Sequence, residues 1–166
     1  MPDVQDAHGA QGDPLTLNAA LVGRTYPSTP AYVVGREKVR EFATAIGDLN
    51  PAYHSVEAAR ALGYSDVVAP PTFAFVVAYA GSSQAAMDPE LGLDYSRVVH
   101  GEQRFSYARP IVAGDSLIAT ATIEAIRSVA GNDIVTTRVE LATEAGEPVV
   151  TTTTVIVSRG TAEDPS

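Results

Sequence analysis

The chain of 166 residues has no cysteine and no tryptophan. The first absence removes a disulfide framework, a thiolate metal site and a cysteine nucleophile together, and it suits the cytoplasm, the compartment expected here. Histidine is nearly as scarce, with only His8, His54 and His100 available for imidazole chemistry. Positive charge is also in short supply: 11 Lys and Arg against 20 Asp and Glu leave a formal net charge of −9. Nucleic acids and anionic membrane surfaces are polyanions, so neither is expected as a partner. No apolar run reaches the roughly 20 residues that a membrane span requires, and the first residues lack the basic-then-apolar order of a signal peptide. What remains is a length suited to one domain that buries a real core without staples.

The stretch that organises the rest is Pro70 to Met87. Phe73 to Ala80 carries no charge and almost no polar atom, which predicts a central helix buried on all sides. Pro70 and Pro71 suit a first helical turn, where N–H groups have no intrahelical partner and φ is already helical. Gly81, Ser82 and Ser83 are expected to loosen the second half, and Asp88-Pro89 to end it. A short buried strand is the rival for Phe73 to Ala80; the length and the Ala/Gln/Met-rich continuation favour helix.

Ahead of this segment, residues 1–18 show no apolar period and read as a tail, which places His8 outside any site. The domain is expected over residues 19–159, with a second tail at 160–166. Ala31 to Val34 is a short edge strand. Arg36 to Ile46 carries Val39, Phe42, Ala43 and Ile46 on one stripe and is an amphipathic helix closed by Gly47. Ser55 caps a second helix, Val56 to Leu62. After Pro89 the residues turn β-branched. Strands are expected at Arg97 to Tyr107 with an irregularity at Gly101, at Ser116 to Val129, at Ile134 to Thr143 and at Pro148 to Ser158. Gly131-Asn132-Asp133 and Ala145-Gly146-Glu147 supply the hairpin turns. Helices first and an antiparallel meander after them make an α+β chain, and one long helix held by a curved antiparallel sheet is the hot-dog arrangement.

Chemistry concentrates in the loop between the first two helices. Asp48, Asn50 and His54 place a carboxylate, an amide and an imidazole within seven residues. An Asp that orients a His is a common acid/base pair, and the same residues also make an ordinary turn. His100 reads as a half-exposed strand residue or one facing a partner subunit. Arg104 and Arg109 are solvated charges or contacts for a phosphate. Phe73, Phe75, Tyr79, Phe105 and Tyr107 serve the core or border an apolar channel.

The strings GDLNPAYH, EAARALGY and VVAPPTF, with VGREKVREFA before them and LGLDYSRVVHGEQRF and RPIVAGD after, resemble the MaoC-like family of (R)-specific enoyl-thioester hydratases and 3-hydroxyacyl-thioester dehydratases. Within it they are most similar to the N-terminal MaoC-type dehydratase domain of actinobacteria, a group that includes non-catalytic subunits of (3R)-hydroxyacyl-ACP dehydratases. The resemblance covers about Leu21 to Ser158. Catalytic members carry G-D-x-N-P-(aliphatic)-H and then A-H-G at the start of the central helix. Asp48, Asn50 and Pro51 match the first motif, and His54 is the nearest match to its histidine. It stands six positions after Asp48, one more than the family spacing, so Tyr53 is a candidate for its place. Ala69-Pro70-Pro71 replaces A-H-G, so Pro71 stands where the family has a glycine N–H aimed at the thioester carbonyl, and proline has no N–H. The N–H or hydroxyl of Thr72 is the substitute at hand.

The resemblance implies catalytic roles for Asp48 and His54, vestigial if a partner does the chemistry, and substrate contacts for Asn50, Tyr53, Pro71, Thr72 and Phe73. It implies no metal or redox cofactor. The partners implied are an acyl-CoA or acyl-ACP thioester and a second hot-dog chain. That chain is either a catalytic MaoC-like subunit in a hetero-oligomeric hydro-lyase or a copy of this one in a self-sufficient homodimer. A binding module without turnover is the remaining class.

Overall fold

The computed structural model describes residues 17–160; the greater part of the expected N-terminal tail, with His8, and residues 161–166 lie outside the described residues. Five strands form one antiparallel sheet: β1 (Tyr32–Val33), β2 (Val98–Tyr107), β3 (Ser116–Val129), β4 (Asn132–Thr143) and β5 (Pro148–Ser158). Their spatial order is β1-β3-β4-β5-β2, so β2 forms one edge, bonded to β5 alone. Three helices accompany them: α1 (Arg36–Ala45), α2 (Val56–Ala61) and α3 (Ala74–Ala86). A 3₁₀ turn at Pro71–Phe73 leads directly into α3. The sheet curls around that helix, as the hot-dog arrangement requires.

Curvature has visible causes. Register shifts lie between His100 and Glu102, between Ile123 and Ala125, and between Leu141 and Ala142. An extra residue of this kind bends a strand and increases its twist. The first marks the irregularity expected at Gly101. The β3–β4 connection differs from the expected turn at Gly131-Asn132-Asp133: its two loop residues are Ala130 and Gly131, with φ of 49° and 75°. Two left-handed residues in succession match the hand of a twisted hairpin, which pulls Asn132 and Asp133 into the strand.

The central helix corrects the expectation of burial on all sides. Ala74, Val77, Ala78, Gly81 and Ala85 are buried against the sheet, whereas Tyr79 is 52% exposed. Among the described residues, nothing covers the flank of α3 that carries Tyr79. Gly81 is not a loosening element either. A Cβ built there would stand 3.2 Å from both the Ala119 Cβ and the Val139 Cγ1, so the missing side chain lets the helix lie close on β3 and β4. At the start of the helix Phe73 is fully buried, and its ring meets Phe42 of α1 edge-on at 5.4 Å. Burying a side chain of this size contributes roughly 2–3 kcal/mol and ties α1 to the base of α3.

A second apolar cluster closes the far end, where Leu17 and Leu21 pack with Ala85, Leu91 and Ile123. Leu17 and Leu21 are both buried in it. No helix among the described residues is long and apolar enough to cross a membrane.

Candidate active-site cleft

Three local structures bring the site together. The first is the loop after α1. Gly47 adopts φ 73° behind the last turn, and its N–H donates to the Thr44 carbonyl at 3.1 Å. Asp48 Oδ1 then accepts the Asn50 N–H at 3.1 Å, and Asn50 Oδ1 accepts the Ala52 N–H at 3.0 Å, capping the 3₁₀ turn Pro51–Tyr53. Both side chains named as chemical candidates therefore hold the backbone of their own loop. The second structure is the segment before α3. The Ala69 N–H donates to the Ile111 carbonyl and the Ala113 N–H to that of Val67, each at 2.8 Å, so residues 67–69 run beside 111–113. The Val68 N–H reaches back to the Ala52 carbonyl at 3.2 Å and binds this segment to the loop.

The third is the 109–115 turn. Arg109 pairs with both oxygens of Asp115 at 2.9 and 3.0 Å and with Glu147 at 2.9 Å, while Asp115 also accepts the Val112 N–H at 2.9 Å. These carboxylates raise the Arg109 pKa, the Asp115 bond first among the causes. Arg109 is thus a clamp on the turn that supports Ala69, and not a free charge.

Where these structures meet there is a cleft of about 190 Å³. Asn50, Tyr53 and Pro71, from the expected set, line it together with Tyr64, Ala69 and Tyr107. The Tyr107 hydroxyl donates to the Pro71 carbonyl at 2.5 Å, and burial pushes its pKa up to about 12. Burial raises the pKa of Tyr53 as well, and the charges of Asp48 and Tyr64 add to the effect. The other members of the set lie elsewhere. Phe73 is packed under Phe42, Thr72 is exposed beside the opening, and neither lines the cleft.

His54 does not line the cleft either. Its Nε2 lies 3.0 Å from the backbone carbonyl oxygen of Asp48, so the imidazole donates to the main chain of Asp48 and not to its carboxylate. The Arg40 Nε donates to the His54 carbonyl at 2.9 Å and holds the other side of the residue. The ring of His54 thus lies against its own loop, and Tyr53 faces the cleft. Tyr64 was missed by sequence reasoning. The only hint was its place just after Gly63, at the end of α2.

His100 and Phe75 lie with ring centroids 5.8 Å apart and line a separate depression beside α3, not the cleft. Among the described residues, no three His, Cys, Asp or Glu side chains are placed to hold a metal ion.

Comparison with known proteins places this geometry in a family. Residues 20–152 match the model described as "FAS1-like, dehydratase domain region". The chain is 59% identical over 149 residues to a protein of Streptomyces griseus named UPF0336, an alignment covering 90% of this chain and 99% of that one. A solved MaoC-like dehydratase superimposes with a TM-score of 0.78 at 40% identity, over 84% of this chain; the match spans only 42% of that longer protein. The HadBC (3R)-hydroxyacyl-ACP dehydratase complex of Mycobacterium tuberculosis superimposes with a TM-score of 0.73 at 35% identity, covering 82% of this chain and 96% of the matched one. A curled five-strand sheet around one helix is the fold these proteins share, and the chain belongs to the FAS1-like dehydratase-region family of MaoC-like hot-dog proteins.

Proposed function

We propose that this chain is the supporting subunit of a (3R)-3-hydroxyacyl-thioester dehydratase, working beside a second hot-dog chain that carries the acid/base pair. The observation that carries the reading is at the start of the central helix. Pro71 faces the cleft and offers no N–H to a thioester carbonyl. A preorganised donor at such a position is typically worth about 10²–10³ in rate. The Asp48 carboxylate and the His54 ring, both committed to loop backbone, support the same conclusion.

The reaction is reversible removal of water from a (3R)-3-hydroxyacyl thioester to give the trans-2-enoyl thioester. It needs a base at the α-carbon, an acid at the leaving hydroxyl and a polarised carbonyl. In this reading the partner supplies all three. This chain contributes the wall of Tyr53, Tyr64 and Tyr107 that surrounds the acyl group. The HadBC structure is itself a complex of two such chains, which supports a hetero-oligomer. The free edge of β2 and the uncovered flank of α3 are where the second chain would add its own sheet and helix.

The test is to co-express this chain with a small hot-dog protein carrying an intact G-D-x-N-P-x-H motif, then follow hydration of crotonyl-CoA. Turnover by the mixture and none by either chain alone is the expected result. Brisk hydration by this chain alone would overturn the reading in favour of a homodimer using Asp48 and His54. Ligand-induced thermal stabilisation without turnover under any pairing would leave only a binding module.

A further inference from the structure

Arg104 and Arg109, the cations that the sequence offers to a phosphate, are both engaged by carboxylates: Arg104 by Glu102, Arg109 by Asp115 and Glu147. Among the described residues, the guanidinium groups that form no ion pair are those of Arg60, Arg127 and Arg159. Arg60 donates to the Ser65 carbonyl at 3.3 Å. Arg159 has different surroundings. With Arg97 it lines a shallow depression of about 390 Å³ where the chain enters β2 and leaves β5. The Arg159 N–H donates to the Arg97 carbonyl at 3.1 Å, and Arg97 Nη1 donates to the Gly160 carbonyl at 2.9 Å. The carboxylate beside them is Asp94, 3.5 Å from Arg97 Nε, whose Oδ1 already accepts the Ser96 N–H and hydroxyl at 3.0 and 2.7 Å. Two arginines against one carboxylate leave this hollow positive on a chain whose net charge is −9. A guanidinium presents a planar fork of donors that fits the oxygens of a phosphate.

The place of the hollow on β2 says whose substrate it meets. Val98, the first residue of the strand, lines the depression, and Tyr107, the last, lines the cleft. The strand has 10 residues, which at about 3.4 Å each puts the two sites about 30 Å apart along it. That is too far for the pantetheine arm of a thioester bound in this chain's own cleft. A second hot-dog chain changes the distance. Joined to the free edge of β2 about a two-fold axis, its edge strand runs antiparallel to this one, so the Val98 end of β2 lies against the cleft end of the partner's strand. In the proposed complex the thioester sits with the partner's acid/base pair, beside this chain's two arginines.

We propose that Arg97 and Arg159 bind the phosphate of the substrate's phosphopantetheine arm in trans, at the mouth of the partner's cleft. The inference rests on the dehydratase-subunit reading and on pairing through β2, and it gives a chain without a working acid/base pair a direct part in substrate binding. Arg159 is the anchor, because no carboxylate among the described residues competes for it; Arg97 is held in place by Gly160 and Asp94. Neither side chain touches a reacting atom, so their contribution falls on KM and not on kcat. The arm's phosphate is common to CoA and to a carrier protein. CoA adds the phosphates of its nucleotide, a second source of the same chemistry that the test has to separate.

Three thioesters do so: crotonyl-pantetheine, which has no phosphate, crotonyl-4′-phosphopantetheine, which has the arm's phosphate alone, and crotonyl-CoA. Hydration of each is followed with the complex of this chain and its catalytic hot-dog partner. Arg159→Ala is expected to raise KM about fivefold to tenfold for both phosphate-bearing substrates, the worth of about one hydrogen bond to a charged group in a solvated site. It should leave kcat, and the KM of crotonyl-pantetheine, unchanged. Arg159→Lys keeps the charge without the fork and should recover part of the loss. Arg127→Ala removes the same charge from β3 and is expected to change nothing; an equal rise in KM there would reduce the effect to net charge and overturn the inference. Should Arg159→Ala fail to assemble, the wild-type complex and Arg159→Lys still decide: a lower KM for crotonyl-4′-phosphopantetheine than for crotonyl-pantetheine, partly lost in Arg159→Lys, upholds the inference, and equal values overturn it. A rise confined to crotonyl-CoA assigns the arginines to the nucleotide phosphates and overturns it. Unchanged KM for all three substrates overturns it and leaves the dehydratase-subunit reading standing. No turnover of any substrate by the wild-type complex overturns both.

Discussion

Asp66 receives Arg36 on both oxygens, Nε at 2.8 Å and Nη2 at 2.6 Å, and also the Val67 N–H at 2.7 Å. The guanidinium, first among the causes, lowers its pKa to about 2 from 3.8. A carboxyl held below its unfolded value contributes stability that is fully present above 3.8 and is lost as pH falls through about 2. Arg36 is half exposed, so solvent screens the pair and its worth is about 1 kcal/mol. Asp66→Asn should therefore cost about 1 kcal/mol in urea unfolding at neutral pH, and the gap to wild type should close towards pH 2. A gap that persists in acid would mean that the charge is not its source.

His54 gives the second prediction at this scale. As a loop fastener it should cost about 0.5–1.5 kcal/mol of stability on His54→Ala, with the dehydration rate of the complex little changed. A working base would instead cost about 10²–10⁴ in rate. The residues of the loop were legible as a possible acid/base pair, but their bonding was not. Turn-forming Asp and Asn bond their own backbone readily, and nothing in the residue types says which backbone group a nearby imidazole meets.

Among the elements, α3 shows best what a sequence pattern reveals and what it hides. Its start at the double proline and its end near Met87 were readable, because those signals are local backbone chemistry. Its open flank was not, because a run of apolar residues looks the same whether it faces its own sheet or another chain. Gly81 was read as a weak point for the related reason that close approach is a tertiary fact. The four long strands were visible in the β-branched runs and turn residues, and β3, β4 and β5 pair consecutively as a meander does; β2 departs from the expected meander, pairing with β5 at the far edge and not with β3. The Ala130-Gly131 turn shifted by a residue because twist, and not composition, selects the loop positions. Gly81→Val puts branched carbon where even a Cβ is 3.2 Å from Ala119 and Val139, and should cost about 2–3 kcal/mol of overpacking in chemical denaturation. A neutral result would show that the helix can lift from the sheet.

At the scale of the molecule, the free edge and the free flank lie together. Among the described residues β2 bonds on one side only, to β5. Beside its residues Val98 and His100, Tyr79 and Tyr95 line a shallow depression and are 52% and 49% exposed. A strand edge beside exposed aromatic surface invites pairing, and an acidic chain with a net charge of −9 resists unspecific association while leaving a shaped partner free to dock. Such a surface could not be found from one sequence, because nothing in a strand's own residues says which of its edges stays bare. Hydrogen exchange reads it directly. Backbone amides of β2 that point away from β5 are open to solvent in the separate chain and should exchange orders of magnitude faster than those of β4, which is paired on both sides. On mixing with the catalytic hot-dog chain they should become protected along the length of Val98–Tyr107, while β1 at the opposite edge stays unchanged. Protection at β1 in place of β2 would put the second subunit on the wrong side of the sheet and remove the cleft from the interface.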